Sequence, residues 1–291
     1  MTLQELINEW RRRLDDKISN DYQFADSEGV MVANLAVNEA CTRAKLIYDL
    51  KNISLVNGTS LYYFDSNIFL VDSAILTDVN GLKTQIVLTD RETLSKLDYT
   101  WREWTNNKPK FLIVEDSKVE LSPCPETAYT LTTYHYRTQA EASGTATSGS
   151  AAKLTNTSQS WVINQWARYL LAITSGAGSG QSKTISSNTA TEITVSSAWI
   201  TNPDSTSVYK IENLTESTLS NSPEIASRHH DGLVDWMVFM SLKSRDADVI
   251  NTGMMNDAYA SFELRFGKRP DSNVLRKQAR KGSHVTRPIN F

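Results

Sequence analysis

At 291 residues, with 40 % apolar and 22 % charged side chains, the chain has a globular composition and room for one large domain or two to three small ones. No apolar run approaches the ~20 residues of a membrane span, and the opening MTLQELINEWRRRLDD carries acids and no apolar h-region, which argues against a signal peptide. The net charge of −3 divides unevenly: residues 268–291 hold seven basic side chains and one acid (+6), leaving 23 basic against 32 acidic (−9) elsewhere, so the body is a poor binder of duplex DNA.

The chain opens on Thr2-x-x-Glu5, a capping-box pattern, followed by Leu3, Leu6, Ile7, Trp10 and Leu14 at helical spacing. Arg11, Arg12 and Arg13 read as a solvated face, and the polar run from Asp15 and Asp16 ends the helix. A second helix starts near Asp26 or Ser27 and carries Val30, Val37, Cys41, Ala44 and Tyr48 on one face to about Leu50. This hairpin cannot cover its own apolar stripe.

From Ile53 the period changes to 2. SLYYFDSNIFLVDSAILTDV, TQIVLT, FLIVED, KVELSP and YTLTTYHY predict antiparallel strands, with one helical excursion over residues 92–104 placing Leu94, Leu97, Trp101 and Trp104 on one side. Between Ser143 and Lys210, 25 of 68 residues are Ser or Thr, yet ARYLLAITS, KTISS, TEITVSS and SVYKI predict strands, and Trp161, Trp166 and Trp199 supply bulk. This is a small all-β module behind a flexible GTATSGSAA stretch, with hairpin turns at GAGSGQ and Asn188-Thr189-Ala190. Residues 223–267 then predict two amphipathic helices. Ile225, His229, Trp236, Met237 and Met240 mark one face of the first; Met255, Ala258, Tyr259, Phe262 and Phe266 mark one face of the last, which Gly267 stops with Pro270 just beyond.

The chemistry-bearing residues do not assemble into a reaction centre. Cys41 and Cys124 are isolated and read as reduced, cytoplasmic thiols. His229 and His230 point about 100° apart on a helix and cannot share a metal, so one packs inside and the other faces water or a neighbour. Gly176, Gly178 and Gly180 before Lys183-Thr184 lack the phosphate-loop spacing, since Ser182 and Ala177 stand where glycines are needed and a strand follows. Asp15, Asp16, Asp246 and Asp248 cluster only at helix ends and turns. The tryptophans Trp101, Trp104, Trp161, Trp166 and Trp199 would stack sugars if exposed, but strand-spaced tryptophan is more often core. The expectation is a protein that is not an enzyme, with no cofactor and no metal.

Three sets of residues carry a resemblance. They are Arg13-Leu14-Asp15-Asp16 with Asp26-Ser27-Glu28 and Asn38-Glu39-Ala40; Lys108-Pro109-Lys110-Phe111 with Leu121-Ser122-Pro123-Cys124-Pro125 and the tyrosine-rich strand 129–136; and Pro223-Glu224-Ile225 with His230-Asp231-Gly232-Leu233-Val234-Asp235-Trp236, Asp246-Ala247-Asp248 and residues 262–267. In order and spacing the chain resembles the head-to-tail adaptor (connector, or head-completion) proteins of tailed bacteriophages. The module, with Gln181-Ser182-Lys183-Thr184-Ile185 and residues 198–204, resembles a decoration shared among phage structural proteins. The resemblance implies a structural virion protein of the neck, assembled in the host cytoplasm. It implies a homo-oligomeric ring, usually of twelve copies, beneath the portal protein, joined below to a tail nozzle or tube protein or a tail fibre. DNA would pass through the channel without sequence-specific binding, and no membrane is involved. It also implies that a C-terminal segment clamps the portal, which here falls on Arg276, Lys277, Arg280, Lys281, Arg287 and Phe291.

The expected fold class is α+β: a helical bundle from the N-terminal hairpin (1–52) and the C-terminal helices (214–267), an antiparallel β region (53–140), the inserted module (141–213) and a basic docking tail (268–291). The competing reading is a tail component, a fibre anchor or receptor-binding protein acting through the module.

Overall fold

Thr2 opens the first helix as the sequence requires. Its hydroxyl accepts from Glu5 N (3.2 Å) while the Glu5 carboxylate accepts from Thr2 N (3.0 Å), closing the capping box on α1 (Leu3–Arg13). The structure, a computed structural model, describes residues 1–16, 22–64, 67–104, 108–115, 118–243 and 251–271. The chain is α+β, with five α-helices and two seven-stranded sheets among these residues, and more strand than helix. Its described residues divide into two units, residues 1–40 with 139–267, and residues 41–138 with 268–271.

In the first unit, α1 buries Leu3, Leu6, Ile7 and Trp10 completely. The second helix, α2 (Asp26–Ala44), ends six residues before its expected end. Lys45 takes a left-handed conformation (φ 52°) and donates its N–H to Cys41 O, which stops the helix and frees the following residues for a strand. Gly29 lets α2 approach α1: a Cβ there would lie 3.0 Å from Ile7 and Trp10 side-chain atoms.

Two C-terminal helices follow in this unit, α4 (His230–Lys243) and α5 (Thr252–Phe266). The expected face of α4 is corrected. Ile225 lies before the helix, His229 sits in a preceding 3₁₀ turn, and Trp236 and Met240 are half-buried. Met237 is buried as expected, and Leu233, Val234, Val238 and Leu242 are buried with it, because both α1 and α5 contact α4. Trp10 Nε1 donates to Ser241 Oγ at 3.1 Å, both buried. Trp236 and Phe262 rings lie 4.8 Å apart, and Gly232 admits the Phe266 ring. As the sequence predicts, Gly267 ends α5 with φ 82° and its N–H on Glu263 O.

The same unit contains the Ser/Thr-rich module. Its strands are β8 (Ala142–Thr145), β9 (Ser148–Ser150), β10 (Lys153–Thr155), β11 (Leu170–Ser175), β12 (Ser182–Asn188), β13 (Glu192–Val195) and β14 (Val208–Glu212), in the order β8-β14-β11-β12-β13-β10-β9. The edges β8 and β9 are separated by two residues, so the sheet must roll until its edges nearly meet. Ala146 N bonds Ser207 O, extending the β8–β14 ladder, and Thr147 N bonds Thr155 O, extending the β9–β10 ladder, so the linking residues stay attached to both ends of the sheet. The GTATSGSAA stretch, expected to be flexible, therefore supplies the end of β8 and the whole of β9, because small residues fit the tight roll.

The second unit holds β1 (Ile47–Leu55), β2 (Leu61–Tyr63), β3 (Ile68–Thr77), β4 (Lys83–Thr89), β5 (Phe111–Glu115), β6 (Lys118–Ser122) and β7 (Tyr129–Arg137), ordered β1-β7-β3-β4-β5-β6-β2. Here too the edge strands are sequence neighbours, joined by five residues that span at most ~20 Å. Val56 N donates to Tyr62 Oη at 2.7 Å, and the rolled sheet encloses Leu55, Leu76, Leu88, Leu112, Val119, Leu121 and Leu131. One pairing corrects the antiparallel expectation: β4 and β5 run parallel, joined by a crossover through α3 (Arg91–Leu97) and a 3₁₀ turn (Trp101–Glu103). The single helix expected over 92–104 breaks at Asp98, whose carboxylate takes Thr100 N (2.8 Å), Thr100 Oγ1 (2.7 Å) and Trp104 Nε1 (3.0 Å). Leu97 is consequently exposed while Leu94 and Trp101 are buried.

Candidate functional site

The arginine triplet expected to form a solvated face divides three ways. Only Arg12 stands in water, paired with Glu9 on its own helix. Arg11 is buried, donating to Asp26 Oδ1 (2.8 Å) and to Phe24 O (2.6 Å), with its guanidinium 3.8 Å from the Tyr22 ring centroid. Asp16 belongs to the same knot, accepting from Gln23 N (2.9 Å) and Phe24 N (3.2 Å). These bonds tie Gln23, Phe24 and Asp26 to the end of α1.

Arg13 points instead at α4. It donates to Glu9 (3.1 Å), Asp231 Oδ1 (3.0 Å) and Asp235 Oδ1 (2.5 Å), while Arg265 of α5 meets Asp231 Oδ2 (2.8 Å) and lies 3.6 Å from Asp235 Oδ2. Three helices are thus joined by one charge cluster. Burial pushes the Asp235 carboxyl above its ordinary pKa, and the Arg13 charge opposes that push. The Glu9 carboxyl is held down to about 2, chiefly by its hydrogen bond from Arg12 and in part by Arg13. An open groove of about 580 Å³ runs beside the cluster, lined among others by Arg13, Asp235, Val238, Met254, Asp257 and Ser261. Its lining among the described residues carries no histidine or cysteine, and it offers a place for a side chain to dock.

His230 is buried with both ring nitrogens engaged, Nδ1 at 2.9 Å from Met1 N and Nε2 at 2.9 Å from Ile225 O. His229 is half-buried against Arg228 and the Phe266 ring. Among the described residues no group of three His, Cys, Asp or Glu side chains is placed to hold a metal ion, and no helix is long and apolar enough to cross a membrane.

The resemblance-bearing residues are brought to positions that build the fold. Glu224 accepts Ala140 N at 2.7 Å, Lys110 N bonds Ser122 O, and the strand 129–136 lies between β1 and β3. In the module, Gln181 clamps the 198–204 loop: Oε1 accepts Ile200 N (2.7 Å) and Thr201 N (3.3 Å), and Nε2 donates to Gly178 O and Thr201 O. Asn188 does the same for the 162–166 turn. The segment after the glycines is strand β12, with Gly176, Gly178 and Gly180 all at positive φ in the hairpin. Trp161, Trp166 and Trp199 are buried in the module's own core and Trp101 in the other unit, so they offer no sugar-stacking platform. Arg276, Lys277, Arg280, Lys281, Arg287 and Phe291, as well as Asp246 and Asp248, lie outside the described residues.

Sequence reading missed the Arg13–Asp231–Asp235–Arg265 cluster. The available signal was the i,i+4 spacing of Asp231 and Asp235 on a helix otherwise apolar on that flank.

Against known families, the model of the SU10 adaptor protein family matches residues 1–178, which takes in α1, α2, the whole first rolled sheet and the module as far as the turn after β11. No curated protein matches the chain.

Proposed function

The chain belongs to the SU10 adaptor protein family, a family of phage structural adaptors, and from that premise we propose that it is a head-to-tail adaptor that forms a ring beneath the portal, extends the DNA channel and joins capsid to tail. The observation that carries this reading is the family match across 178 of 291 residues, reaching from the first helix into the module. In this reading α1, α4 and α5 act together as a bundle, a stiff wedge repeated around the ring and cross-linked by Arg13 and Arg265. The −9 body keeps the channel from gripping passing DNA, while the +6 segment 268–291 docks on the portal through Arg276, Lys277, Arg280, Lys281, Arg287 and Phe291. Ordering that segment costs conformational entropy, offset by charge pairs and by Val285, Ile289 and Phe291.

Electron microscopy of the protein mixed with its phage's portal protein, at low and moderate salt, tests the proposal. The expected result is a second ring stacked on the portal, lost when residues 272–291 are removed. An unchanged complex after that deletion overturns the docking role of the tail. No complex at either salt overturns the adaptor reading and moves the function to the module, as a tail component.

A further inference from the structure

Helices α4 and α5 fill one part of their seam with their own rings. Trp236 lies 4.8 Å from Phe262, and Phe239 lies 5.0 Å from Tyr259. The positions one residue earlier, Asp235, Val238, Ala258 and Ser261, turn about 100° away on each helix and line the groove of about 580 Å³ instead. Met254 extends the α5 wall one turn further, and Asp257 stands one turn before Ser261. The volume falls in the range of pockets that hold a small organic ligand.

Two carboxylates in this groove are incompletely matched. Asp257 is exposed and enters no hydrogen bond or ion pair among the described residues. Asp235 has a side chain only 8 % exposed; its Oδ1 accepts from Arg13 at 2.5 Å, but its Oδ2 accepts no hydrogen bond, since the Arg265 nitrogen at 3.6 Å lies beyond bonding reach. A buried acceptor without a donor is costly, so a donor that reaches it is favoured. The nearest cations, Arg13 and Arg265, are already balanced by Asp231 and Asp235, which leaves Asp257 as the uncompensated charge of the groove.

We propose that this groove receives an arginine side chain carried by a partner protein, its guanidinium bound by Asp257 and by the unused oxygen of Asp235, and its aliphatic stem lying on Val238, Met254 and Ala258. The lining supplies each part of that side chain with its complement, apolar wall for the methylenes and carboxylate for the head. Arginine fits better than lysine because a planar fork of five N–H donors serves two separate acceptors at once. It is also more weakly hydrated than an ammonium and loses less on entering a half-buried site. The contact lies within one unit of the chain and stands whether or not the protein acts beneath a portal.

The test uses the full chain with its methionine methyl groups labelled for NMR, titrated with Nα-acetyl-arginine amide. Met254, which lines the groove, is assigned through Met254→Leu. The expected result is a saturable shift of the Met254 methyl, weaker with the lysine derivative and absent with the citrulline derivative, which keeps the shape and lacks the charge. Asp257→Asn, at an exposed position where folding is spared, weakens binding about tenfold. Asp235→Asn weakens it further where that variant folds. No saturable shift at Met254, equal binding of the citrulline derivative, equal binding of the lysine derivative, or unchanged affinity in Asp257→Asn each overturns the proposal.

Discussion

Arg13, in the last turn of the first helix, donates to Asp235 across 222 residues of sequence, and it is the nearest cation to a carboxylate whose side chain is only 8 % exposed. Its removal leaves that carboxylate buried with Arg265 at 3.6 Å as its remaining ion partner. Arg13→Met is expected to destabilise the protein by about 2–4 kcal/mol, measured by chemical denaturation. A loss under about 0.5 kcal/mol would show the pair to be solvated.

Glu9 makes stability depend on acid. Its carboxyl sits at about 2 instead of 4.5, so the folded state binds its proton later than the unfolded chain does. The stabilisation is present above about pH 4.5 and is lost as pH falls through 2. Asp235 has the opposite sign, since its raised pKa relieves the folded state as pH falls. The stability difference between the parent and Glu9→Gln should be constant above pH 5 and shrink steadily below it; a difference that grows below pH 5 would contradict the assignment.

Gly176 and Gly180 share a hairpin and a positive φ (80° and 86°) but not a neighbourhood. A Cβ on Gly176 would lie 2.0 Å from Thr206 O, whereas one on Gly180 meets nothing within 4 Å. Gly180→Ala should cost about 1 kcal/mol, the backbone term alone. Gly176→Ala should cost roughly 3 kcal/mol or more, because the β11–β14 approach must open. Equal thermal shifts for the two variants would refute the close approach.

Gln181 holds Gly178, Ile200 and Thr201 through its one amide. Gln181→Ala should raise amide exchange at Ile200 and Thr201 selectively, with a global loss of about 1–2 kcal/mol. Uniform exchange across the module would place the clamp elsewhere.

The strands illustrate what local pattern can and cannot carry. SLYYFDSNIFLVDSAILTDV and YTLTTYHY announce themselves by a period of 2, and all the strands predicted between residues 60 and 137 appear. The helical spacing of Cys41, Ala44 and Tyr48 continues into β1; the break comes from the left-handed backbone at Lys45, a residue type that gives no such signal. The roll of each sheet was equally hidden, although β8 and β9 stand two residues apart, since which strands become edges is decided by non-local pairing.

Composition and periodicity by themselves determined the α+β class, the capping box, the stop at Gly267 and the absence of a recognisable catalytic motif, because each of these is set by residues within one or two turns of one another. Only the tertiary structure decided that Arg11 is buried while Arg12 is solvated, and that Asp231 and Asp235 face Arg13 and Arg265. A side chain's environment depends on which distant segment lies over it, and three consecutive arginines on a helix point in three directions.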